Sequence, residues 1–177
     1  MKFYKLLFFI SIVYLLGGCK VADKFTQFDM EYKTTAIVKS ASGINLPFDI
    51  LTPDVESNSE STFEVNDTRK DLIEEIKLKH LDLLITSPDG QNFDFLKSIA
   101  IYISADGLNE IKVAWKDDIP DGMGNNLVLE TTENDLKEYI KKDKFNLRLN
   151  TVTDKVITND VYIDVNSIFF VDAKLFK

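Results

Sequence analysis

The side chains that could do chemistry are few. The chain has one cysteine, one histidine and one tryptophan, set among 29 acidic residues. A serine or cysteine nucleophile needs a histidine within hydrogen-bond reach. His80 lies inside the run EIKLKHLDLLITS with no glycine-flanked nucleophile beside it, so it reads as a strand histidine on a polar or bulged face. Zinc takes several histidine or cysteine ligands, and one of each falls short of a site. Cys19 is the only thiol, and a thiolate is the one side chain here that would readily attack an electrophilic donor.

Oxygen ligands are more plentiful. The stretch KDDIPDGMGNN places Asp117, Asp118 and Asp121 beside Asn125 and Asn126, with Gly122 and Gly124 supplying backbone freedom. Such a loop presents hard oxygens to calcium, but its spacing is not that of an EF-hand, nor is that of Asp89, Asn92 and Asp94. Asp117, Asp118 and Asp121 are therefore the candidate metal ligands, and a solvated acidic turn is the simpler expectation. Two carboxylates can also cleave a glycosidic bond, but no spacing singles out a pair. Gly122 and Gly124 are followed by no Lys-Ser or Lys-Thr, so no phosphate-cradling loop is present. Trp115 and the many Phe and Tyr residues could face a sugar or a peptide. Their alternation with charged residues favours packing in a core.

The first 19 residues, MKFYKLLFFISIVYLLGGC, answer a different question. Lys2 and Lys5 precede an apolar stretch, 6–16, interrupted only by Ser11. As a helix this stretch spans roughly 16 Å, against ~30 Å of bilayer hydrocarbon. That is the length of a signal-peptide core. Small residues Gly17 and Gly18 follow, then Cys19. Leu16-Gly17-Gly18-Cys19 resembles the lipobox of bacterial lipoprotein precursors. The resemblance is confined to residues 1–19. It implies diacylglycerol on the Cys19 thiol, cleavage between Gly18 and Cys19, and a membrane as partner through the lipid. It also implies a cell-envelope location. Asp does not follow Cys19 directly, so the enterobacterial inner-membrane retention signal is not matched, and the outer membrane is expected in a Gram-negative cell.

Removal of Lys2 and Lys5 would take the formal net charge from −8 to −10. A domain of that charge avoids nucleic acid and anionic headgroups, which leaves the lipid as the anchor. With Cys19 acylated, the core has no disulfide to staple it.

The expected organisation is a signal peptide over 1–18, a lipidated tether over 19–26 and one domain over 27–177. Period-2 alternation marks strands in QFDMEYKTTAIVK, FDFLKSIAIYISA, EIKVAWK, KFNLRLNTV and one long DVYIDVNSIFFVDAKLF. PFDIL reads as an edge strand because of Pro47, STFEVN as a short strand, and NLVLE as another. In EIKLKHLDLLITS, Ile76 and Leu78 are out of phase with Leu81, Leu83 and Ile85, which a bulge near Lys79–His80 would reconcile. ADGLNE predicts a hairpin turn at Asp106-Gly107. RKDLIEE reads as a short helix capped by 66–68. TENDLKEYIKKDK reads as an amphipathic helix of two to three turns, capped by Thr132 or Asn134.

These elements predict a mainly β chain: an antiparallel β-sandwich of immunoglobulin-like architecture with one or two short helices. The functional expectation is a membrane-anchored envelope lipoprotein that binds or assembles with an envelope protein or glycan and needs no cofactor beyond its covalent lipid. The alternative is a carboxylate-based, carbohydrate-active envelope enzyme.

Overall fold

The computed structural model describes residues 26–40 and 45–174. Cys19, Gly18 and most of the tether lie outside the described residues, as does the 42–43 turn.

The chain forms two antiparallel sheets. Strands β1 (Gln27–Val38), β4 (Ile73–Ser87), β7 (Asn126–Val128) and β10 (Val161–Ala173) make a four-stranded sheet in the order β1-β10-β4-β7. Strands β2 (Pro47–Leu51), β9 (Lys144–Thr153), β5 (Leu96–Ala105), β6 (Ile111–Lys116) and β8 (Glu130–Thr131) follow one another in the second sheet, and β3 (Val55–Glu56) also pairs with β9. The two sheets share one apolar core, and the fold is a β-sandwich. Phe145 of β9 meets Tyr32 of β1 and Phe169 of β10 edge-on, at 5.2 and 6.0 Å between ring centroids, and so ties one sheet to the other. The Tyr32 hydroxyl donates to the Ser57 carbonyl at 2.6 Å, and burial pushes its phenol well above the ordinary value.

Alternation explains most of this. Along β1, Met30, Ala36 and Val38 are buried while Asp29, Glu31 and Lys33 are exposed. Strand β10 keeps an unbroken register with β1 from Asp172 to Val161, so it is one long strand with a single apolar phase. Its other neighbour, β4, absorbs the mismatch. Glu74, Lys79 and Thr86 each lack a partner on β10, and the one at Lys79 is the bulge that the apolar phases require. Ile76, Leu78, Leu81, Leu83 and Ile85 are consequently all buried. PFDIL is an edge strand, β2, as Pro47 dictates. The β5–β6 hairpin turns through Gly107 at φ 72°, a conformation that favours glycine.

Three local expectations change. STFEVN belongs to helix α1 (Ser59–Val65), because one turn suffices to drive Phe63 into the core at 0% exposure. The segment 66–72 forms turns, with Thr68 N–H donating to Phe63 and Leu72 N–H to Arg69. Helix is lost there because Ile73 onward is claimed by pairing with β10. Helix α2 is a single turn, Lys137–Ile140. It buries Leu136, Tyr139 and Ile140 as the spacing requires. Its start is held by Asp135, not by Thr132 or Asn134: Asp135 Oδ1 accepts from the N–H groups of Lys137 and Ile76, both at 3.1 Å.

Candidate functional site

The largest departure from simple alternation concerns Trp115. The run IKVAWK alternates cleanly, with Ile111, Val113 and Trp115 on one side, which predicts a core tryptophan. The structure corrects this. Lys112 pairs with Tyr102 and Ala114 with Ile101, so Val113 is an extra residue on β6. Val113 and Ala114 both turn inward, with at most 1% of either exposed. Trp115 is thereby moved to the outer face, where it is half-buried.

Residues paired across adjacent strands share a face. One row on this outer face reads Leu51, Arg148, Tyr102 and Lys112; the next reads Asp49, Asn150, Ala100, Trp115 and Glu130. Arg148 organises the first row. Its guanidinium stacks on Tyr102 at 4.3 Å from the ring centroid. It donates to both carboxylate oxygens of Glu110, at 2.9 and 2.6 Å, and to Asp49 Oδ1 at 2.6 Å. Asn150 Nδ2 also donates to Asp49, at 2.6 Å. The hydrogen bond from Asn150, then that from Arg148, holds Asp49 below the usual carboxylate range. The hydrogen bond from Arg148 does the same for Glu110. Both acids stay ionised at neutral pH. Lys112 extends over the Trp115 ring at 5.0 Å. The face is thus a rigid set of acceptors and donors beside two aromatic rings, suited to recognition.

The residues singled out from sequence fall elsewhere. Asp117, Asp118 and Asp121 are exposed. Asp121 pairs with Lys155. Among the described residues, no group of three or more His, Cys, Asp or Glu side chains is placed to hold a metal ion. Asp94 accepts from the Gly122 N–H at 2.7 Å and so pins the acidic loop to the 93–95 turn. The loop is also fastened by Ile119 N–H on the Lys97 carbonyl. His80 follows the β4 bulge, its Nε2 3.2 Å from Asp82 Oδ1. Glu56, Glu60 and Asp143 line an open cleft of about 290 Å³ beside α1, together with Ser57, Asn58, Ser59 and Ser61. Composition pointed to Trp115, but only the β6 bulge places it at the surface.

No family model matches the chain, and no curated protein matches it. Solved structures resemble it only distantly. A capsid structure of the Helicobacter pylori bacteriophage KHP30 is 12% identical, with TM-score 0.34, covering 85% of this chain and 99% of that one. Desmodium yellow mottle tymovirus is 11% identical, with TM-score 0.28, covering 85% and 84%. A structure of carbohydrate-binding modules from the β-sandwich superfamily is 12% identical, with TM-score 0.27, covering 86% and 57%. At these TM-scores the likenesses carry no argument about the chain.

Proposed function

We propose that the chain is a lipid-anchored protein of the cell envelope whose β-sandwich is a non-enzymatic binding module. The anchor rests on the order of charge, short apolar core, small residues and cysteine across 2–19. Seven residues, 20–26, separate Cys19 from β1, a reach of roughly 25 Å at most, so the sandwich works close to the membrane. The observation that carries binding is the outer face of the six-stranded sheet, where one arginine fixes two carboxylates and an aromatic ring in place.

Asp49, Asp54, Glu110, Asp135 and Asp160 are held below the ordinary carboxylate range by their hydrogen bonds. A glycosidase acid needs the opposite shift. The enzymatic alternative draws on the cleft with Glu56, Glu60 and Asp143. Glycan hydrolysis by the purified chain, abolished in Glu60→Gln, would establish it.

Mass spectrometry of the N-terminus tests the anchor. The expected product begins at a diacylglyceryl Cys19, and Cys19→Ser leaves the uncleaved, unlipidated precursor. An unmodified Cys19, or cleavage at another bond, refutes the proposal.

A further inference from the structure

We infer that the outer face of the six-stranded sheet binds a neutral saccharide, with a sugar ring lying over Ala100 against Trp115. The inference rests on the reading of the domain as a binding module and names its ligand class.

Ala100 sits on β5, with β9 on one side and β6 on the other, yet its small side chain is not buried. Its neighbours across the ladder are Asn150 and Trp115, and along the strand Tyr102. A methyl group between these larger side chains makes a shallow dip. Trp115 and Tyr102 are diagonal neighbours across the ladder, about 7–8 Å apart at their backbones. The dip therefore has an aromatic wall on one side and the Asn150–Asp49 pair on the other.

That combination fits a hexose with equatorial hydroxyls. Such a ring has an apolar C–H face for the indole and a rim of hydroxyls for the polar groups. Asp49, held ionised by Asn150 and Arg148, accepts hydroxyl protons and costs little reorganisation, because its position is already fixed. Lys112 covers the indole in the free protein. It is exposed and forms no ion pair among the described residues, so a sugar displaces it from a weak surface contact. Charge selects the neutral class. Asp49, Glu110 and Glu130 outnumber Arg148 and Lys112 on this face, and the whole chain is at −8, so uronates, sulfated glycans and phosphates are repelled.

Trp115 is the only tryptophan, so its fluorescence reports this face directly. The full chain in detergent is titrated with neutral hexasaccharides of β-1,4-glucose, β-1,3-glucose and β-1,4-N-acetylglucosamine to about 10 mM, a range that reaches weak sites. At least one should shift and saturate the emission. Ala100→Glu, which fills the dip and keeps the reporter, should abolish that response. Trp115→Ala, followed by calorimetry, should weaken binding about tenfold or more. Both variants are checked for the parent's circular dichroism. No response to any of the three sugars overturns the inference, as does an equal response in folded Ala100→Glu. A response to tetralysine alone also overturns it, assigning the face to a cationic peptide. The anchor is read separately at the N-terminus: a lipidated chain that binds no sugar refutes only this inference, and a sugar-binding chain without lipid refutes only the anchor.

Discussion

Strand β4 of the four-stranded sheet and strand β6 of the six-stranded sheet each carry a residue with no partner across the ladder, Lys79 and Val113. At β4 the doubled position faces outward. Lys79 reaches Asp29 at 2.6 Å and His80 lies near Asp82, both on the solvent side. At β6 the doubled position faces inward, and Val113 and Ala114 are both buried. The side chains at each bulge decide its direction: a polar pair turns out and an apolar pair turns in. The consequences for the two surfaces differ. The outer face around β4 remains a mesh of lateral polar contacts, such as Lys33 with Asp164 and Asn166 with Asp82. The face around β6 receives an indole. A bulge in one sheet preserves the core, and the same device in the other sheet also builds a surface.

The largest expected effect tests the phase argument at β4. Deleting Asp82 turns Leu83 and Ile85 outward and Leu84 inward, a net loss of one buried apolar side chain, so a loss of about 2 kcal/mol or more is expected in urea denaturation. Deleting Lys79 closes the bulge and keeps every apolar residue in phase. It should cost less than about 1 kcal/mol, the loss of one exposed ion pair. Equal losses in the two deletions would break the distinction between a bulge residue and a ladder residue.

At β6, deleting Val113 also leaves Ala114 inward and Trp115 outward, but it removes a buried side chain. The expected cost is about 2 kcal/mol, with the tryptophan emission maximum unchanged. A blue-shifted maximum would show that the indole had entered the core, and that the Val113 side chain, not the strand register, was what held it out.

Arg148 sharpens the comparison of the two surfaces. Arg148→Met should lower stability by about 1 kcal/mol at neutral pH, since the clamp is a half-exposed network of bidentate geometry. The sign with pH follows from Asp49 and Glu110, whose folded values lie below their ordinary ones. Their contribution is fully present above the unfolded carboxylate range of about pH 4, and it is lost as pH falls through the lower folded values. The gap between parent and variant in denaturation midpoint should therefore close in acid. A gap that widens below about pH 4 would contradict the clamp.

The smallest effect is at the acidic loop. Changing Asp117, Asp118 and Asp121 together to Asn should leave the melting temperature within about 2 °C of the parent, because these side chains are exposed and the loop is held by other bonds. Added calcium should shift neither protein. A calcium-dependent rise in the parent, absent in the triple variant, would make this loop a metal site.

Much of the fold was legible because period-2 alternation is a local property. The β4 bulge could be read from the chain, since Ile76 and Leu78 cannot share a buried face with Leu81, Leu83 and Ile85 in a regular strand. The β6 bulge could not, because IKVAWK satisfies alternation without one. The first helix was misplaced for a related reason. Seven residues around Phe63 are too few for periodicity to separate helix from strand, and contact with the core chose helix.

Sequence alone determined the N-terminal pattern ending at Cys19, the strand alternation and the acidic charge, because each depends only on residue order and type. Tertiary structure decided which surface became a candidate site. Arg148, Glu110, Asp49 and Tyr102 lie on four separate segments, and only the pairing of β2, β9 and β5 brings them together. Trp115 joined them because the core took Val113 and Ala114 in its place, a choice between competing packings that no single strand contains.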